Sequence, residues 1–161
     1  GSTNAGALTV HKWHSGWNKW IQHGNTITGE FAHDMMGNVA SVAISADGRR
    51  IAIGASRNPG DTGDMSGHVR VLEFNDEYKL WLTLADISGE ANIDMSGIAV
   101  VFSNNGLIIG IGSPLNDDSA LDAGHIRVFE DRLDTRGYVQ KGGNIEGLFA
   151  GTNAGKTMSM S

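Results

Sequence analysis

A series of residues recurs along this chain at a spacing of roughly 60, from Ile27 to Ile87, and nothing else in the sequence constrains its fold as strongly. One copy runs through Ile27-Thr28-Gly29-Glu30, Asp34 with Gly37, Ser41-Val42-Ala43-Ile44-Ser45, Asp47-Gly48, Ile51-Ala52-Ile53-Gly54, Gly67-His68-Val69-Arg70-Val71 and Trp81. The next has Ile87-Ser88-Gly89-Glu90, Asp94 with Gly97, Asn105-Gly106, Ile109-Gly110-Ile111-Gly112, Gly124-His125-Ile126-Arg127-Val128 and Tyr138. A third is split between the ends, its late part at Gly6-Ala7-Leu8-Thr9-Val10 with Trp20 and its early part at Ile145-Glu146-Gly147 with Gly155. A period of this length describes stacked or radially arranged units, each too small to bury its apolar face alone.

Within a copy, apolar and small residues alternate over 39–46, turn at Asp47-Gly48, and return over 50–55. Asp-Gly between two apolar runs is a strong hairpin signal, and a two-residue turn there calls for positive φ at both positions. After a polar loop over 56–66 comes a strand over 67–74, with Val69 and Val71 on one face and Arg70 and Leu72 on the other. A turn at Asn75-Asp76 leads to a fourth strand around 80–84, and copy two repeats the plan over 98–103, 107–113, 124–130 and 137–141. Four antiparallel strands per unit, with small residues (Ala40, Ser41, Ala43, Ser45) on a central strand at the narrow end of a wedge, predict an all-β, β-propeller-type array. The outer strands carry Trp13, Trp20, Phe74, Trp81, Phe129 and Tyr138. Trp20, Trp81 and Tyr138 hold equivalent positions and read as blade-to-blade packing. The 23 glycines suit tight turns between short strands.

The array has two full blades, 25–84 and 85–143, and a partial one divided between 1–24 and 144–161. Closed propellers take about four blades or more. The sequence therefore points to a segment of a longer array, or to a unit completed by other chains through its partial blade.

Gly54-Ala55-Ser56 and Gly112-Ser113-Pro114, each following a strand entered through Gly37 or Gly97, resemble the FG-GAP repeats of integrin α-subunit propellers. The whole series is more similar still to tandem repeats of marine microbial and algal proteins. The resemblance implies a noncatalytic scaffold with an adhesive or assembling role, in an extracellular or cell-surface setting. Where integrin-type repeats place a calcium loop between the first two strands, this chain carries only Ala46-Asp47-Gly48-Arg49 and Asn104-Asn105-Gly106.

Other chemistry has to be sought in the loops. Asn58, Asp61 and Asp64, and in the second copy Asn116, Asp118 and Asp122, offer oxygen ligands that could hold calcium. The same residue types cap turns, which is the preferred reading. His68 and His125, each after a glycine, are expected to be structural hydrogen-bonding groups. Glu30 and Glu90 recur in register with Arg70 and Arg127 as interlocking ion pairs, and Asp34 and Asp94 recur at strand entries. The stretch 150–157 matches a relaxed phosphate-loop pattern, but the repeat register makes Thr152 and Gly155 another strand entry. No other cofactor is expected. A net charge of −6 with scattered Lys and Arg argues against nucleic acid as a partner. The absence of an 18-residue apolar run argues against a transmembrane segment, and the absence of cysteine excludes disulfides. Partners are expected to be other protein chains or further repeats. Trp13, Trp17 and Trp20 provide an alternative, a carbohydrate-binding face. A wall of a propeller enzyme ranks last, because it needs acids converging in a channel where this chain places small residues.

Overall fold

The computed structural model describes residues 4–38, 41–59, 64–134 and 137–161. Its strands are β1 (Ala7–Leu8), β2 (His11–His14), β3 (Lys19–Gln22), β4 (Ile27–Thr28), β5 (Val42–Ile44), β6 (Arg50–Ala55), β7 (His68–Asn75), β8 (Leu80–Ser88), β9 (Ala99–Phe102), β10 (Ile108–Ser113), β11 (His125–Asp131), β12 (Tyr138–Gln140) and β13 (Ile145–Glu146). They form two antiparallel sheets, β5-β6-β7-β8 and β9-β10-β11-β12, with β13 beside β11, and two smaller pairs, β1-β4 and β2-β3. The architecture is all-β and built of propeller-like blades without a closed barrel. Val39 and Ala40 lie outside the described residues.

Three local features depart from the sequence expectation. At the Asp47-Gly48 turn only Gly48 has positive φ (+70°). Gly48 N–H donates to Ser45 C=O (2.9 Å), and Asp47 accepts from the Ser45 hydroxyl (2.6 Å) and the Arg49 N–H (3.0 Å). A five-residue connection (45–49) relieves the aspartate of the left-handed conformation that a two-residue turn would impose. The fourth strand of the first sheet continues past Leu84 to Ser88, because an irregularity opposite Val71 and Leu72 skips Leu84 and restores pairing down to His68 with Ser88. The recurrent Ile-x-Gly-Glu series lies at the outer end of the preceding unit: Ile27-Thr28 pair with β1, Ile87-Ser88 with β7, and Ile145-Glu146 with β11.

The two faces of β7 feed different cores. Val69 and Val71 join Ala52, Val100, Phe102, Ile109, Ile111 and Phe129 in one buried cluster. Leu72 and Phe74 join Ile51, Ile53, Trp81, Ile27 and Met36 in another. The sheets come close enough for backbone contact at Gly54 against Gly97 and at Gly112 against Gly155, and a side chain at Gly54 or Gly112 would strike the facing carbonyl. Inter-unit hydrogen bonds repeat threefold: Met36 N–H to Ala5 C=O (3.1 Å), Ser96 to Ser66 (3.0 Å), and Ala154 to Ala123 (2.8 Å). Charge adds to this between the sheets. Arg50 Nη1 donates to Asp131 Oδ2 (2.7 Å), Tyr138 Oη (3.2 Å) and Gly106 C=O (3.3 Å), and the Tyr138 hydroxyl also donates to Gly106 C=O.

Candidate functional site

At the start of each long third strand a histidine, an arginine and carboxylates meet. In the first unit Arg70 pairs with Glu30 and, through Nε, with Asp86 Oδ1 (3.0 Å), while His68 Nε2 lies 3.1 Å from the same Asp86 oxygen. Asp34 ends the adjoining turn by accepting the N–H groups of Glu30 (3.0 Å) and Phe31 (2.7 Å). In the second unit Asp94 accepts from Ala91 N–H (3.1 Å) and from Asn116 Nδ2 (3.0 Å). Burial pushes the Asp94 carboxyl above its ordinary range, opposed by those two donors. Arg127 donates to Ser88 C=O (2.8 Å) and Ser96 Oγ (3.2 Å), and its Nη1 lies 3.7 Å from Glu90 Oε1. Burial pulls its pKa below the usual guanidinium value, against the pull of Glu90 and Asp94.

His125 sits at the centre of this second cluster, fully buried. Its Nε2 is 3.6 Å from Glu90 Oε2 and its Nδ1 is 4.0 Å from Asp118 Oδ2 and 3.4 Å from Asn144 Nδ2. One ligand atom from each of Glu90, Asp118 and His125 lies within 4.8 Å of the others, the single grouping of this kind among the described residues.

The residues expected to form oxygen loops are distributed otherwise. Asp61 lies outside the described residues. Asn58 is buried with its carbonyl accepting from Gly67 N–H (3.0 Å), and exposed Asp64 accepts through its backbone from Ile93 (3.0 Å). Asn116 Oδ1 accepts from Asp118 N–H (3.0 Å), and Asp122 turns in the left-handed region (φ +50°), its N–H donating to Asp117 Oδ1 (2.7 Å). Thr152 accepts from Phe149 N–H (3.3 Å), repeating the Asp34 turn, and no helix follows it as a phosphate loop requires.

The aromatics divide. Trp81 is 3% exposed, packs edge-on against Phe74 and donates its indole N–H to His23 C=O (2.8 Å), and Tyr138 is half-buried against the inter-sheet core. Trp20, at the equivalent position, is 65% exposed, so the packing role expected for it is not filled: among the described residues it meets Trp13 edge-on, and no further sheet covers it. Trp13 and Trp17 are 45% and 64% exposed, the latter stacked on His14 with Lys19 above its ring. Beside Trp13 and Trp20 opens a cleft of about 370 Å³ with His11, Asp47, Arg49 and Asp76 on its walls. Sequence reasoning missed the bridge from Arg50 to Asp131 and the approach of Asp118 to His125. Arg50 is the second residue after the Asp47-Gly48 turn, and its equivalent after Asn105-Gly106 is Ile108, so no recurrence marked the bridge.

No protein-family model matches the chain, and no curated protein matches it. Among solved structures it is similar to the crystal structure of a Bacteroides fragilis protein described as a candidate 6-phosphogluconolactonase, with a TM-score of 0.54 and 10% identity. The likeness is one of fold. It covers 91% of this chain and 35% of that protein, so this chain spans about a third of the length of the structure it matches. Among the described residues no helix is long and apolar enough to cross a membrane.

Proposed function

We propose that the chain is a noncatalytic propeller-type repeat module that acts as a protein-interaction scaffold, with the β2-β3 hairpin as its docking face. The observation that carries this is the contrast between Trp20 and its equivalents: the position that packs blade on blade at Trp81 and Tyr138 is open at the hairpin. The occupant that suits such a face is another four-stranded unit, supplied by a further repeat or by a second copy of the chain. An adhesive or self-assembling role agrees with the resemblance to FG-GAP repeats. Light scattering across concentration tests the reading. Mass should rise with concentration, and Trp20→Ser should weaken association by roughly 30-fold, as expected for loss of an aromatic anchor worth about 2 kcal/mol. A monomer at every concentration would refute self-association, and association unaffected by Trp20→Ser would refute the hairpin as its site.

A second reading is supported by the cleft beside Trp13 and Trp20, where aromatic faces adjoin Asp47, Arg49 and Asp76 as a sugar would require. A glycan array should then give hits that Trp13→Ala removes, and an array without hits would dismiss this reading.

A further inference from the structure

We propose that Glu90, Asp118 and His125 form a binding site for a divalent transition ion of the zinc type. This site is independent of the docking face. It also differs from the all-oxygen calcium loop that the sequence suggested, since it draws one ligand each from the turn after β8, the loop after β10 and the first residue of β11.

Geometry is the first argument. The separation of 3.6 Å between His125 Nε2 and Glu90 Oε2 is too long for a good N–H···O bond. It is close to the ~3.4 Å that separates two ligands of a tetrahedral ion with bonds of about 2.1 Å. Asp118 Oδ2 lies 4.0 Å from Nδ1 of the same imidazole, one ligand atom from each of the three residues lies within 4.8 Å of the others, and the Asp118 carboxylate is more than half exposed and free to swing in. The imidazole itself points the same way. His125 is fully buried and its Nε2 has no hydrogen-bond partner, a rare condition for an interior polar atom. The first unit satisfies the same atom of His68 with Asp86. In the second unit the residue preceding the equivalent Ile145 is Asn144, so the anion that closed the first site is a neutral amide here. Asn144 instead donates to Glu90 Oε2 (3.2 Å), holding that oxygen beside the ring.

Charge agrees with this. Glu90, Asp94 and Asp118 gather around His125 with Arg127 as the nearby guanidinium, an excess of negative charge that a divalent ion offsets. Arg127 engages Glu90 Oε1 and leaves Oε2 toward the histidine, the kind of outer support that fixes a carboxylate ligand. A nitrogen donor with two carboxylates suits Zn²⁺, Co²⁺ or Mn²⁺, whereas Ca²⁺ prefers oxygen alone. Three protein ligands leave one position for water or for an external group, such as a carboxylate from a partner.

Titrating the chelator-treated full chain with Co²⁺ and Zn²⁺ tests the site, read by visible Co²⁺ absorption and by melting temperature. The expected result is one ion per chain, a raised melting temperature, and an affinity weakened at least 10- to 100-fold in Asp118→Asn and Glu90→Gln, since losing a ligand should cost at least as much as losing an outer-shell partner. Both variants alter side chains that are more than a third exposed, so folding should survive where a change at His125 could abolish it. Circular dichroism checks this. No binding at millimolar ion, binding of Ca²⁺ alone, or binding undiminished in both variants would overturn the proposal. The last result would assign the ion to exposed His11 and His14 instead.

Discussion

Replacing Gly54 with alanine tests whether glycine contacts hold the sheets together. Gly54 lacks the positive φ that would strain an alanine, so the effect is steric. A methyl carbon built there lies 2.8 Å from the Gly97 carbonyl carbon and nearer still to its oxygen. Ordinary contact is about 3.5–4.0 Å, so the facing strand entry must retreat by roughly 1 Å. The obstacle is backbone, which cannot rotate aside as a side chain would. That retreat pulls on two hydrogen bonds, Gly37 N–H to Gly54 C=O (3.0 Å) and Gly97 N–H to Gly112 C=O (2.9 Å). Overpacking of this kind costs about 1–3 kcal/mol and a weakened hydrogen bond about 1, giving a loss of about 3 kcal/mol. In a chain of this size that lowers the melting temperature by roughly 6–12 °C. Gly48→Ala is the control: its methyl meets nothing within 4 Å, and only the φ of +70° opposes it, at about 1–2 kcal/mol. Urea unfolding followed by tryptophan fluorescence should show a lower midpoint for Gly54→Ala at unchanged slope. If Gly54→Ala is no less stable than Gly48→Ala, the sheets are not stacked through these glycines.

Arg50→Met leaves the Asp131 carboxylate buried without its cation and should cost about 3–5 kcal/mol in urea unfolding, while the double variant Arg50→Met with Asp131→Leu should recover most of the loss. Ile111→Ala empties a fully buried site in the inter-sheet core and should cost about 2–5 kcal/mol by the same measurement. The Ser45 hydroxyl and the Arg49 N–H hold the Asp47 carboxyl below its ordinary pKa. Such a depressed acid stabilises the fold above its ordinary pKa of 3.8 and loses that contribution as pH falls through its lower folded value. Asp47→Ala should therefore be less stable than the parent at pH 7, by under about 1 kcal/mol at this exposed turn, with the gap narrowing below pH 4. A gap that is constant with pH would refute the assignment.

The 60-residue recurrence was enough to read the repeating strand plan, because alternation of apolar residues and Asp-Gly or Asn-Gly turns act locally. It correctly sorted Val69 and Val71 from Arg70 and Leu72, since side chains on a strand alternate whatever they meet. It could not foresee the skipped Leu84, which depends on pairing with a partner strand. Nor could it separate Trp20 from Trp81 and Tyr138: the three are equivalent in sequence, and what decides their exposure is whether another sheet lies against them. The same holds for the candidate site. Glu90 and His125 were legible as recurring polar positions, but Asp118 was read with the loop residues Asn116 and Asp122. Folding turned Asn116 toward Asp94 and Asp118 toward the histidine. The sequence alone determined the strands and their repeat, which follow from local periodicity and turn chemistry. Only the tertiary structure decided which loop faces which strand, and therefore which charged groups share a buried space, because that depends on sheets packing across distances the chain does not encode locally.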